Sequence, residues 1–146
     1  MEIDFEEFEN SIINFTKENY KNYLREGLAE PSRYINDFLD FDIYKDANEI
    51  FFDFENYNFN SLSNESEEQK INLKIYIVCR NDKSSELKKK ILQYATDFYK
   101  FFEGSNNNFN GLIDYGKIDT VSFFGAVEGD TGLKLAQLNI SMNAEI

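Results

Sequence analysis

The fold is decided by residues 70–104, which read KINLKIYIVCRNDKSSELKKKILQYATDFYKFFEG. Over 71–80 apolar side chains alternate with others, and this period of two predicts a strand with one continuous core face. The polar residues 81–84 predict a tight connection. Apolar residues then recur at helical spacing over 84–103, which predicts an amphipathic helix that ends at Gly104. The rest of the chain is expected to pack against this strand and helix.

The faces of both elements follow from their periods. The strand is expected to bury the alternating set Ile71, Leu73, Ile75, Ile77 and Cys79, and to carry Tyr76 and Val78 on a mixed second face. The helix is expected to bury Leu87, Ile91, Tyr94, Ala95, Phe98 and Phe102. Its water-facing side is expected to include Lys88, Lys89, Gln93, Asp97 and Lys100.

The N-terminal part predicts one further main helix over 4–26, with acidic residues in its first turns, basic residues nearer its end, and Gly27 after it. A short second helix is expected over 31–39, because Pro31 and Ser32 favour a helix start. The residues 40–46 are expected to be a connection.

The aromatic and acidic stretch 48–59 predicts a strand. Its alternation changes phase after Glu55, which predicts a bulge near Asn56. The polar stretch 60–69 predicts a mobile loop that closes a hairpin onto the strand 71–80.

This hairpin has seven acidic and no basic residues between Lys45 and Lys70. A solvated edge that resists non-specific pairing is slightly favoured over a docking arm for a basic partner. For the second alternative, the candidate contact residues here are Phe51, Asp53, Glu55, Glu65, Glu67 and Glu68.

The C-terminal part predicts a turn-rich loop over 105–111 and a hairpin with strands 112–127 and 133–143, joined by a glycine-rich turn at 128–132. The candidate contact residues in this hairpin are Glu128, Asp130, Leu133 and Leu135. The predicted architecture is a single α+β domain over 1–146, with element order α-β-β-α-β-β. An antiparallel or mixed sheet of about four strands carries the two main helices on one face.

Composition limits the possible functions. The 146 residues are 42% hydrophobic and 16% aromatic, which suits one folded domain. The net charge of −12 argues against binding a nucleic-acid backbone through a broad basic surface. Because the start of the chain lacks a signal-peptide pattern, no run is long enough to span a membrane, and Cys79 is the single cysteine, a cytoplasmic protein is expected.

The sequence predicts no catalytic, cofactor or metal site, and we expect a protein that is not an enzyme. Histidine is missing, and the glycines lack the pattern of a phosphate-binding loop. Carboxylate pairs such as Asp114 with Asp119, or Glu128 with Asp130, are the remaining candidates for acid–base or cation chemistry, but chance proximity is expected in so acidic a chain.

Several strands carry large apolar residues on both faces. Leu133 and Leu135 are out of phase with the main stripe of the last strand, and the pairs Phe123–Phe124 and Phe51–Phe52 cannot both face one core. A sheet covered by helices on one side needs a cover for such residues on the other. A neighbouring subunit and a strand fully buried within the monomer explain them equally well.

The order of these elements resembles the tail terminator (tail completion) proteins of long-tailed phages and phage-tail-like bacteriocins. The resemblance rests on the helix 4–26, the acidic hairpin, the strand 73–80 followed by the helix 85–102, and the final hairpin 118–142. It covers most of the chain, while the acidic stretch 60–69 and the extra helix near 32–39 depart from it.

The resemblance implies a homo-oligomeric ring, usually of six subunits, that caps the head-proximal end of a tail tube and stops its polymerisation. Its partners would be the tail tube protein and the sheath protein or head connector, with no membrane and no specific nucleic acid. The protein would be cytoplasmic during assembly and then part of a virion or phage-tail-like particle. The competing hypotheses are an acidic inhibitor or immunity module for a basic partner, and a small carboxylate-dependent enzyme.

Overall fold

A computed structural model describes residues 4–37, 48–61, 67–80, 84–125 and 133–145. These residues form two helices and a five-stranded mixed sheet, which confirms the predicted α+β fold and adds one strand to it. In chain order the elements are α1 (Phe5–Asn19), a 3₁₀ turn (Tyr20–Tyr23), β1 (Arg33–Ile35), β2 (Glu49–Ser61), β3 (Glu67–Arg80), α2 (Ser84–Gly104), a 3₁₀ turn (Phe109–Gly111), β4 (Tyr115–Phe124) and β5 (Leu133–Ala144).

The strands lie in the order β1-β2-β3-β5-β4. The β1–β2 pair is parallel, and the other pairs are antiparallel. α2 connects β3 to β4, which run in the same direction with β5 between them. β4 therefore lies at one edge of the described sheet, and the short β1 lies at the other.

Both helices pack on one face of the sheet around a single large core. The predicted core face of β3 is buried throughout, as is the predicted apolar stripe of α2. The expectation that Asp97 faces water is wrong. Asp97 is buried, and its carboxylate accepts hydrogen bonds from the guanidinium of Arg25, with an Nη2–Oδ1 distance of 2.8 Å.

The first helix is shorter than predicted. Its N-cap is Asp4, whose carboxylate accepts a hydrogen bond from the backbone N–H of Glu7 at 2.9 Å. The α-helix ends at Asn19 and tightens into the 3₁₀ turn, where the hydroxyl of the buried Tyr20 donates to the carbonyl of Tyr94 at 2.7 Å. Gly27 has a positive φ of 93°, which turns the chain after this segment.

The predicted helix over 31–39 is wrong where it is described, because residues 33–35 form β1. The backbone N–H and the hydroxyl of Ser32 both donate to the carbonyl of Asn48, at 2.9 and 3.0 Å. This contact places β1 in parallel register with the start of β2. A short segment gains little from helix formation, so pairing with an available strand prevails. The predicted connection at 40–46 lies outside the described residues.

The acidic hairpin is confirmed as β2 and β3, and so is its bulge. The register shifts between Phe54 and Asn56, which leaves Glu55 as the extra residue. The loop is shorter than the predicted 60–69, because β2 continues to Ser61 and β3 begins at Glu67. Residues 62–66 lie outside the described part of the chain.

The final hairpin is confirmed as β4 and β5, with β4 spanning 115–124 instead of the predicted 112–127. In the loop before it, Asn106, Asn107, Phe109 and Asn110 adopt positive φ angles, as its asparagine content favours. The predicted glycine-rich turn at 128–132 lies outside the described residues.

Candidate functional site

An open apolar groove runs along the β4 edge of the sheet, between β4 and α2. It has a volume of about 390 Å³, and we call it the edge groove; its lining residues are Ala95, Thr96, Tyr99, Lys100, Glu103, Val121 and Phe123. The exposed fractions of Val121, Phe123 and Tyr99 are 38%, 45% and 46%. Edge strands usually carry charged residues or proline, so apolar side chains this accessible on β4 indicate a contact surface.

The register of the sheet explains why these residues meet. Val121 and Phe123 of β4 pair with Leu138 and Ala136 of β5, whose side chains belong to the helix-covered core. Val121 and Phe123 therefore point to the helix side, but they lie beyond the width that α2 covers. The groove is the gap between a full-length edge strand and a single helix.

The flank of α2 next to β4 continues this surface. Lys88, Leu92, Ala95 and Tyr99 recur at helical spacing and lie along the same side of α2. Leu92 is exposed, as are Lys88 and Lys100, while Glu103 lines the groove toward the C-terminal end of α2. The groove lining thus combines an apolar floor with one lysine and one glutamate, Lys100 and Glu103, while Lys88 lies on a preceding turn of α2.

A second exposed apolar surface lies at the opposite edge of the sheet. We call Phe5, Tyr57 and Phe59 the aromatic patch. The ring of Phe5 lies 4.4 Å from that of Tyr57 and 6.3 Å from that of Phe59, measured between centroids. Phe5 is 39% exposed and Phe59 is 49% exposed. The patch forms where the first turn of α1 crosses the far end of β2.

Carboxylates flank the aromatic patch in the first two turns of α1. Asp4, Glu6 and Glu7 are exposed in the first turn of α1, where negative charge is favourable near the helix N-terminus. Glu9 accepts a hydrogen bond from the hydroxyl of Tyr57 at 2.6 Å. Burial, followed by this hydrogen bond and the charge of Glu9, raises the pKa of Tyr57 above its usual range. The patch is therefore an apolar surface in an acidic setting.

The two surfaces are far apart. The aromatic patch involves β2 and the edge groove involves β4, with β3 and β5 between these strands. Through the sheet register, Phe123 is level with Ile77 of β3, whereas Phe59 is level with Gln69. Eight residues along a strand correspond to roughly 26 Å. The surfaces thus lie on opposite edges and at opposite ends of the sheet, and cannot meet within one chain.

The net charge is also distributed unequally between the two halves of the sequence that contain these surfaces. Residues 1–80 contain 18 acidic and 8 basic side chains, while residues 81–146 contain 9 acidic and 7 basic ones. The half of the sequence that contains the aromatic patch therefore carries most of the net charge of −12, and the half that contains the edge groove is nearly balanced.

Three of the apolar residues predicted to need an external cover are buried within the chain, whereas Phe123 and Phe124 are exposed. Phe51, Leu133 and Leu135 form a second buried cluster with Val78, on the face opposite the helices, with Ile35 and Tyr76 packed against it. These three predicted contact residues are not accessible to a partner in this structure. A strand buried within the monomer, one of the two explanations left open by the sequence, accounts for them.

The other predicted contact residues are not brought into one site. Asp53 is half-buried, and burial followed by the charge of Glu55 raises its pKa. Glu55 is exposed and pairs with Lys74 at 3.0 Å. Glu68 is half-buried, while Glu67 lies in β3 without a described side chain. Glu65, Glu128 and Asp130 lie outside the described residues.

The side chains that could act in catalysis or bind a cation are not brought together either. Asp114 and Asp119 are both exposed, and Asp119 accepts a hydrogen bond from the hydroxyl of Ser141. Burial raises the pKa of Cys79 to about 11, so its thiol stays protonated at neutral pH. Within the described ranges, His, Cys, Asp and Glu side chains form no group of three or more that could hold a metal ion.

Comparisons with known proteins add no assignment, since neither protein-family models nor curated proteins match the chain. In the part of the chain that the structure describes, no helix combines the length and apolar content needed to cross a bilayer.

Sequence reasoning missed the edge groove. The adjacent Phe123 and Phe124 gave a partial signal, because one of them had to leave the core. Both are exposed, since β4 lies at the sheet edge. Nothing in the local pattern of β4 distinguishes an edge strand from a central one.

Proposed function

We propose that this protein is a structural subunit that assembles into a homo-oligomeric ring, as do the tail terminator proteins that its element order resembles. In that role a ring of about six copies caps the head-proximal end of a phage or phage-like tail tube, stops polymerisation of the tube protein, and presents a surface to the sheath protein or head connector. The protein is then cytoplasmic during assembly and becomes part of a virion or phage-tail-like particle.

The observation that carries the proposal is the edge groove. A stable monomer gains nothing from leaving Val121 and Phe123 of the edge strand partly exposed beside Tyr99 of α2. Burial of such a surface in a subunit contact removes apolar area from water at roughly 25 cal/mol per Å². The buried second-face cluster does not contribute to this argument, because it needs no neighbour.

The oligomeric state tests the proposal. We expect the purified protein to form a ring of about six subunits by light scattering and native mass spectrometry, and Phe123→Ser to shift the population to monomer by weakening association at least about 30-fold. The matched control is Tyr115→Ser, which removes an exposed aromatic residue from the same strand but outside the groove. A wild-type protein that remains monomeric at several hundred micromolar would contradict the proposal.

The capping step has its own test. When the assembled ring is added to polymerising tail tube protein from the same source, we expect tube elongation to stop, as measured by tube length in electron micrographs. The monomeric Phe123→Ser protein serves as the control. Equal tube lengths with and without the ring would show that the protein forms an oligomer but does not act as a tail terminator.

A second candidate function is an acidic module that inhibits or neutralises a basic partner. The first turn of α1 favours it, since Asp4, Glu6 and Glu7 line an open polar hollow together with Asn10, Ser11 and Asn14. This function predicts a stable monomer that binds a lysine-rich probe peptide, with affinity that falls with added salt and with Glu6→Gln/Glu7→Gln. If the protein forms a ring and does not bind the lysine-rich peptide, the acidic-module function is rejected.

A further inference from the structure

We infer, on the basis of the proposed ring, that the aromatic patch of one copy occupies the edge groove of the next. The contact is therefore head-to-tail, between two different surfaces of the same chain. A ring requires such a contact, whereas a groove that paired with itself would give a two-fold dimer.

Charge disfavours a contact between two aromatic patches, and the ring itself excludes a contact between two edge grooves. The groove lining is nearly neutral, with Lys100 and Glu103, and Lys88 lies further along the same flank of α2, while Asp4, Glu6 and Glu7 share the first turn of α1 with Phe5. Patch against groove brings carboxylates to lysines. Patch against patch would place carboxylates together in a desolvating contact, whereas groove against groove would close a two-fold dimer and form no ring. The like-charge contact between two patches is unfavourable.

Shape and placement agree with the same pairing. The groove is concave and mostly apolar, and the patch presents the exposed rings of Phe5 and Phe59. Each copy carries one surface of each kind, on opposite edges and opposite ends of its sheet. One contact therefore leaves a free patch at one end and a free groove at the other, so addition continues until rotation closes the ring.

A complementation experiment tests the pairing. The groove variant is Val121→Ser/Phe123→Ser and the patch variant is Phe5→Ser/Phe59→Ser; all four side chains are at least 38% exposed, so both variants are expected to fold. Each variant alone is expected to be monomeric. Mixed one to one, they are expected to form a heterodimer and nothing larger, because only one competent groove and one competent patch remain.

Charge exchange provides a second measurement that does not depend on the aromatic variants folding. Lys88→Glu/Lys100→Glu and Glu6→Lys/Glu7→Lys are each expected to weaken association at least about tenfold, and their combination in one chain is expected to restore most of it. The control is Lys17→Glu/Glu18→Lys, which exchanges two exposed charges elsewhere on α1.

The outcomes separate this inference from the proposed function. A wild-type ring together with an oligomeric patch variant, or with mixed variants that do not form the heterodimer, overturns the head-to-tail assignment and leaves the ring intact. A wild-type protein that stays monomeric overturns both.

Discussion

Asp97 is the residue at which a helical pattern and the folded environment disagree most. Its position on α2 predicted a water-facing side chain, but three hydrogen bonds hold its carboxylate against the segment after α1. The guanidinium of Arg25 donates two of them, at 2.8 and 3.1 Å, and the backbone N–H of Arg25 donates the third, at 3.0 Å. Burial favours the neutral acid, but the hydrogen bonds and charge of Arg25 outweigh it and hold the pKa of Asp97 below its usual range.

We expect Asp97→Ala to lower the free energy of unfolding by about 3 kcal/mol, because it removes two charge-assisted hydrogen bonds and the acceptor for a backbone N–H. Urea unfolding measures the loss. The control is Glu18→Ala, an exposed acidic position on α1, with a change below about 0.5 kcal/mol. Equal effects at both positions would mean that the Asp97 contact adds nothing to stability.

The same carboxylate predicts a pH dependence. Because its folded-state pKa lies below its unfolded-state value of about 3.9, it stabilises the fold above that value. This contribution is lost as the pH falls through the folded-state pKa. The difference in unfolding free energy between the wild type and Asp97→Asn is therefore expected to be full at pH 7 and to shrink steadily below pH 4. A difference that stays constant down to pH 2 would contradict the direction of the shift.

At the scale of single elements, the bulge in β2 reconciles the phase of the strand with one core. Phe52 and Phe54 precede Glu55, whereas Tyr57 and Phe59 follow it, and the extra residue keeps all four side chains on the helix side. The phase change was visible in the sequence because alternation is local. The pairing that accommodates it, with Leu73 and Asn72 of β3, was not.

Deletion of Glu55 is expected to cost about 1 kcal/mol or less, because Phe54, Asn56 and Tyr57 then alternate regularly. It also removes the surface ion pair with Lys74, which contributes little. Deletion of Asp53 is the matched comparison. Once the bulge closes, Phe54 turns outward and Glu55 turns into the core, with an expected loss of at least about 2 kcal/mol. Chemical unfolding of both deletions checks the prediction, and a larger loss for the Glu55 deletion would contradict it.

β1 shows the limit of local reasoning about elements. Pro31 and Ser32 are acceptable at a helix start, so the local pattern favours a helix there. Ser32 instead bonds to the carbonyl of Asn48, sixteen residues away, and this contact belongs to the tertiary structure. A similar distinction applies to α1, whose last turn is reshaped by the packing of Tyr20 on α2.

For the whole molecule, strand order determines which parts open first. β3 and β5 each pair on both sides, whereas β1 and β4 lie at the edges of the described sheet. In the monomeric groove variant we expect hydrogen exchange to be slowest at the amides of β3 and β5, and fast at every second amide of β4, which points away from β5. Uniform protection across β4 in that monomer would contradict the edge position.

The sequence by itself determined the α+β class, the two main helices and the four long strands, the bulge in β2 and the inward face of β3. These features depend on spacings of two and of three to four residues, which act within one element. Only the tertiary structure decided the order β1-β2-β3-β5-β4, the burial of Phe51, Leu133 and Leu135, and the exposure of Val121 and Phe123. Alternation specifies which side chains share a face, but contacts between strands far apart in sequence decide which strand lies at the edge and which faces are covered.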